Sequence, residues 1–383
     1  MRTVYLDYNA TSPLDPGVRV TLDEASLVTW GNPSSIHHLG RRARALLDDA
    51  RDRAAAVLRC RPGELVFTSG GTEANNLAVL GTARRRAALG LGRHLVSSAV
   101  EHPAVLECHR HLARREGFTL TVVPVDRSGR VDPADVAAAL QSDTALVSVM
   151  AANNEVGTIQ PLAEIGRLCR ERRVPLHVDA VQWFGKECFS GIDGLAGELV
   201  TFCAHKIHGP KGFGLLYMRS PQLLEPVLHG GAHEHDLRAG TENLPAVLAG
   251  VGALEQFVAP PVFQRSTLAP WVERLREAVQ ALPGAVLLSP SEGCLVNTVA
   301  FAVEGTDSLA VLANLDLFGI CASSGSACSS GSLTPSHVVR AMGWDEALQS
   351  SLVRFSLGRE NTAADIDFVC SILPEVVRRS REA

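Results

Sequence analysis

The chain has 383 residues, 46% of them apolar, and a formal net charge of −5. That length suits roughly two or three domains or one large α/β unit with a satellite, and the acidic balance argues against a general nucleic-acid-binding surface. No run approaches the ~18 apolar residues of a membrane span, "MRTVYLDYNAT" has no apolar segment of signal-peptide type, and nine scattered cysteines without CxxC or zinc spacing point to reduced thiols in a cytoplasm and to no metal.

In chain order, "ELVFTS" predicts a strand and "EANNLAVLGTARRRAAL" the helix after it. "HLVSSA" predicts a strand, "PAVLECHRHLARREG" a helix ended by Gly117, "TLTVVPV" a strand and "DPADVAAALQ" a helix. "TALVSVMAA", the helix "LAEIGRLCRERR" and the strand "PLHVDAV" continue the alternation, and "LVTFCAH" and "GFGLLYM" add two strands. Such β/α alternation predicts a mostly parallel sheet covered by helices on both faces. The pattern breaks at "FVAPPVFQ", which sets a domain boundary near Pro260. The expected division is a large α/β domain over residues 15–258 and a smaller α+β domain formed by 1–14 and 259–383. No internal repeat is visible.

Only three lysines occur, Lys186, Lys206 and Lys211, so lysine chemistry has few candidates. Lys206 directly follows a predicted strand in "TFCAHKIHGPKG", where small residues let backbone approach a ligand closely. A lysine at such a place suits covalent attachment of pyridoxal phosphate (PLP); the other reading is a solvated surface lysine, which Lys211 fits. In "HVDAVQ", Asp179 ends a buried-looking strand. A carboxylate there pairs with a protonated pyridine nitrogen, or else simply caps the next turn. Gln182 is placed to donate to the ring's phenolic oxygen.

"FTSGGTEANN" leads a strand through Gly71 and Thr72 into a helix, whose free N–H groups suit a phosphate; the alternative is a glycine turn with a Thr-x-x-Asn cap. His102 lies between a strand and a helix opened by Pro103, where an imidazole can stack on a ring and exchange protons near neutral pH. His233, Glu234 and His235 tempt a metal reading, but their spacing suits neither one helical face nor a zinc pattern, which leaves loop polarity. "SSGSACSSGS", residues 323–332, has almost nothing to bury and predicts an exposed, mobile loop. A free cysteine is ordinarily a buried small hydrophobe, so Cys328 in that setting requires a reason.

Taken together and in order, "YLDYNATSPLDP", "GNPSS", "FTSGGTEANN", "EHPAV", "NNEVGTIQP", "HVDAVQ", "AHKIHGPKG", "RAGTEN", "SSGSACSS" and "VRFSLGR" make the chain resemble, over nearly its whole length, the cysteine desulfurases of the NifS/IscS type. The resemblance implies the PLP-dependent transferase fold type I, aspartate-aminotransferase-like. It implies Lys206 as the PLP lysine, Asp179 at the pyridine nitrogen, Gln182 at the phenolic oxygen and His102 stacked on the ring as a catalytic group. Gly71, Thr72 and His205 would bind the phosphate, and Thr241 would reach the phosphate of the other subunit in a homodimer. Asn154 would lie near cofactor and substrate, and Arg354 would bind the carboxylate of L-cysteine. Cys328 resembles the nucleophile that takes the sulfur as a persulfide, releases L-alanine and passes the sulfur to a protein acceptor. A selenocysteine lyase, another PLP lyase, or a non-catalytic scaffold of the sulfur system are the alternatives.

Two positions depart from the family pattern. Cys203 stands where a phosphate-binding serine is usual, and a thiol is a weaker donor. Ala204 replaces a glycine. The chain also stops soon after "DFVCSILPEVVRRSREA", short of the tail with which the housekeeping enzyme holds its iron–sulfur scaffold. That implies a dedicated desulfurase, serving nitrogenase-type clusters, tRNA thiolation or DNA phosphorothioation.

Overall fold

The computed structural model describes residues 3–220, 224–325 and 335–382. Its strands are β1 (Val4–Tyr5), β2 (Leu65–Thr68), β3 (His94–Ser98), β4 (Thr119–Val123), β5 (Thr144–Ser148), β6 (Leu176–Asp179), β7 (Leu199–Cys203), β8 (Gly214–Met218), β9 (Ala285–Leu287), β10 (Thr298–Val303), β11 (Ile320–Cys321) and β12 (Leu352–Ser356). Seven of them form one sheet in the order β2-β8-β7-β6-β5-β3-β4. All neighbours are parallel except β8, which runs antiparallel to both β7 and β2. The short segment 204–213 joins β7 to β8 without a crossover helix, and only antiparallel strands can be joined that way.

Alternate side chains of these strands enter opposite cores. Val96, Val147, Val200 and Leu215 pack with the helices Pro16–Val28, His38–Leu58 and Leu244–Phe257. Their sequence neighbours Leu95, Leu146, Leu199 and Leu216 pack with the helical stretch from Gly71 to Ala88 and with the helix Pro103–Arg115. Apolar side chains on both faces explain why the central strands read as continuous hydrophobic runs. The helix expected from Glu73 starts two residues earlier, at Gly71, and widens into a π turn over Leu77–Gly81. There the Gly81 backbone abuts Glu225, and a Cβ would lie 2.6 Å from the Glu225 carbonyl.

A separate core gathers around the antiparallel sheet β12-β10-β9. Helices Arg265–Gln280, Ser308–Leu317 and Ala363–Arg381 cover it, and Val4 and Leu6 from the start of the chain join it. The core changes over between Val258, which packs with the large sheet, and Phe263, which packs with the small one. The two are bridged by a smaller cluster that includes Val100, Met150, Ala300, Val338 and Leu352. No helix among the described residues is long and apolar enough to cross a membrane.

Candidate active site

The loops that follow β2, β3, β5, β6 and β7 open one cleft, at the strand ends where ligands sit in open α/β sheets. It is lined by Gly71, Thr72, His102, Asn154, Asp179, Gln182, Cys203, His205 and Lys206, with Arg354 contributed by β12. Ten of the twelve site residues expected from sequence therefore meet there. Thr241 does not: it is exposed on a neighbouring groove with Ser69 and Arg238. Cys328 lies outside the described residues. On either side of its segment, Ser323 pairs with Arg354 through their backbones and Ser336 donates to Glu155 Oε2 at 2.5 Å.

Lys206 Nζ donates to the carbonyls of Asn9 and Ala10 at 2.6 and 2.7 Å. Asp179 is buried and makes the turn cap that was its alternative reading. Its Oδ1 accepts from the Val181 N–H, which caps the turn after β6, while Oδ2 accepts from Asn75 Nδ2. The Thr-x-x-Asn cap at 72–75, the alternative reading of this turn, is absent; the N-cap position is Gly70, with no side-chain bond, and Asn75 turns inward. A Cβ on Gly71 would lie 2.9 Å from Val181, so only glycine lets this helix start come so close to the β6 turn. Ala204 fits because Gly209 opposite has no Cβ; one there would lie 2.4 Å from Ala204 Cβ.

Burial sets the charge states. It holds the His102 imidazole below its usual pKa, with Asp179 opposing and Lys206 assisting; the ring also caps the following helix, Nδ1 accepting from the Ala104 N–H. His205 is pushed down to about 3 by burial and by the nearby lysines, and is neutral. Burial lifts the Cys203 thiol to about 11, so it too is neutral near pH 7. Arg354 is 1% exposed; its two terminal nitrogens donate to the Asn154 carbonyl and to Asp7 Oδ1, and its Nε has no partner.

Glu234, once a metal candidate, instead holds the buried Arg51 and accepts from the Phe67 N–H. Among the described residues no cluster of three or more His, Cys, Asp or Glu side chains is arranged for a metal ion.

Sequence reasoning passed over Asn9, Asn75 and Lys186. Asn75 carried a usable signal, since it lies one helical turn after Thr72 and shares its face. Asn9 carried none, because its contacts are made across the fold; Lys186 reaches Asn9 across the fold, but its other partner, Gln182, is only four residues away.

The chain matches the family model described as "Aminotransferase class-V" over residues 4–369. It is 39% identical to "Cysteine desulfurase IscS" of Dictyoglomus turgidum, over 99% of this chain and 96% of that protein. Among solved structures, one named "NIFS-LIKE PROTEIN" superposes with a TM-score of 0.90 at 33% identity, covering 98% of this chain and 100% of the other. Another, "SspA in complex with cysteine", gives a TM-score of 0.82 at 32% identity over 94% and 100% of the two chains.

Proposed function

The chain belongs to the class-V aminotransferase family and, within it, to the PLP-dependent cysteine desulfurases; from that premise we propose that Lys206 carries the cofactor, Asp179 holds a proton at its ring nitrogen, and Cys328 takes the sulfur of L-cysteine. The observation that supports this assignment most is the convergence of a lysine amine, a buried carboxylate and a helix N-terminus, from three different strand ends, on one cleft.

The side chains present fit the group. The stretch from Gly71 to Ala88 begins at the cleft, where the first N–H groups of a helix have no intrahelical partner. Asn75 Oδ1 and Arg354 Nε are buried polar atoms without partners in residues that line the cleft. When bound, PLP supplies an electron sink that allows the Cα–H bond of the substrate to break. Lys206 takes the Cα proton. Arg354 and Asn154 would hold the substrate carboxylate, Gln182 would donate to the phenolic oxygen, and His102 would border the ring. Gly71, Thr72, Cys203 and His205 would hold the phosphate. The Cys328 thiolate attacks the substrate sulfur; a Cys328–sulfur bond forms, the Cβ–S bond breaks, and its electron pair stays with the carbon that is protonated to give L-alanine. At an ordinary thiol pKa of about 8.5 only a few per cent is thiolate, so a base beside it raises the rate.

Thr241, exposed outside its own cleft, fits the reading in which it serves the phosphate of a second subunit, which makes the working enzyme a homodimer. A protein acceptor receives the sulfur. The eight described cysteines are all free, in keeping with a cytoplasmic setting. The changeover of cores near Pro260 supports a division into residues 15–258 and the pair 1–14 with 259–383.

The test is incubation of the PLP-loaded protein with L-cysteine. L-alanine should appear, and mass spectrometry should find an extra sulfur on Cys328. Absence of alanine overturns the reading.

A further inference from the structure

A second lysine lies behind the cleft. Lys186 is 6% exposed, and its Nζ donates to two neutral side-chain oxygens, Gln182 Oε1 at 2.5 Å and Asn9 Oδ1 at 2.7 Å. A lysine so deeply buried is costly to the fold unless its N–H groups are used. Here they are used to hold two amides, and both amides reach the site.

An ammonium has only donors. Each amide must therefore turn its oxygen toward Lys186 and its nitrogen away. For Gln182 this sends the NH2 end toward the Asn9 carbonyl, which accepts one N–H at 2.7 Å. The second N–H is left for the cleft that Gln182 lines. For Asn9, Oδ1 also accepts from Asn297 Nδ2 at 3.1 Å, and its own Nδ2 donates to the Thr298 hydroxyl at 2.9 Å and to the Asn154 carbonyl at 3.3 Å. Rotating either amide by half a turn would set N–H against N–H and leave buried acceptors unpaired.

We propose that Lys186 is a positioning residue that fixes the polarity of the Gln182 amide, so that at this point the cleft presents a hydrogen-bond donor and never an acceptor. The inference rests on the PLP reading above, in which the group facing Gln182 is the phenolic oxygen. Burial, with Lys206 and Arg354 nearby, drives the Lys186 pKa well below the usual lysine range. A neutral amine still has two N–H groups for its two oxygens, and since its lone pair could accept, the Gln182 orientation is then held also by the N–H given to the Asn9 carbonyl.

The test compares PLP binding to the apoprotein for the wild type, Lys186→Met, Gln182→Leu and the double variant, with the visible absorption band of the bound cofactor as a second readout. Lys186→Met should weaken PLP binding about tenfold, the loss expected for one hydrogen bond to a charged group. It should also shift the band in the same sense as Gln182→Leu. The double variant should bind no more weakly than Gln182→Leu alone. Additive losses, or an unshifted band in Lys186→Met, overturn the proposal.

If Lys186→Met fails to fold, Gln182→Glu decides. Glutamate satisfies Lys186 but loses the bond to the Asn9 carbonyl and offers the cleft only acceptors, so the apoprotein should fold with a lowered melting temperature and lose PLP affinity. Unchanged affinity overturns the proposal. A wild type that binds no PLP refutes the cofactor reading instead, and the two failures are distinct.

Discussion

Asn75 donates from Nδ2 to Asp179 Oδ2 at 2.7 Å, in a setting where both side chains are almost fully buried. The bond ties the helix after β2 to the end of β6 and fixes which way the carboxylate faces. Asn75→Ala should leave PLP bound, because phosphate and lysine contacts are untouched. It should lower kcat by about tenfold to a hundredfold, the effect of removing a hydrogen bond to a charged group of about 1.5–3 kcal/mol. KM for L-cysteine should change little. A variant with unaltered kcat and full PLP occupancy would show that Asp179 needs no support from Asn75.

Cys203 is 2% exposed, and its thiol is held neutral by burial. Cys203→Ser replaces a weak donor with a strong one of nearly the same shape. PLP affinity, measured by equilibrium binding to the apoprotein, should be equal or tighter, and turnover should not fall. A large loss of turnover would assign the thiol a role of its own.

The alternation of strands and helices was legible because each core strand and each covering helix carries its own apolar pattern, and that pattern is local. Lys206, Asp179, His102 and Gly71 were legible because each sits where a strand ends, a place the sequence marks with small residues, proline or a change of period. Asn9 was not. Its carbonyl accepts from Lys206 and Gln182 while its side chain meets Lys186, Asn297 and Thr298. Those partners are scattered over the chain, so no spacing announces them. Lys186 was read only as a rival to Lys206, since a lysine in sequence gives no sign of being buried. The antiparallel β8 was missed because a strand's direction depends on its connection, not on its composition.

Glu101, beside His102, is fully buried. Its Oε1 accepts from the Ser98 hydroxyl and the Met150 N–H, and its Oε2 has no partner. Burial pushes its pKa from 4.5 up to about 8. Below pH 4.5 the folded and unfolded chains both hold this proton; from there to about pH 8 only the folded chain does. The stability this group contributes is therefore complete below pH 4.5 and is lost as pH rises to about 8. Glu101→Gln keeps the accepting oxygen and removes the titration. Relative to wild type, it should gain stability steadily in urea denaturation from about pH 5 upward. Parallel pH profiles for the two proteins would mean that Glu101 is ionised in the fold.

Cys328→Ser should abolish persulfide formation and alanine release while leaving the fold and PLP binding intact. Its sequence neighbours are serines, glycines and an alanine, which bring little apolar area to any core, so the change should cost little stability. Lys206, proposed above to carry PLP, follows β7 in another segment, so the visible spectrum of the bound cofactor should survive. L-cysteine should still bind, because binding calls on Lys206 and Arg354 and not on the thiol, and its addition should still change that spectrum. What is lost is the attack on the substrate sulfur, since a serine hydroxyl is essentially un-ionised near pH 7 and is a poor nucleophile toward divalent sulfur. Among the described residues, Ser323 pairs with Arg354 through their backbones, and Ser336 donates to Glu155, next to Asn154 in the cleft wall. Two other thiols test the assignment. Cys203 lines the cleft but is buried and neutral, and Cys321 lies on β11 with its pKa raised by burial. Neither is suited to attack, so sulfur should be found on Cys328 alone in the wild type. Full turnover by Cys328→Ser, or sulfur on Cys203 or Cys321, would move the nucleophile elsewhere.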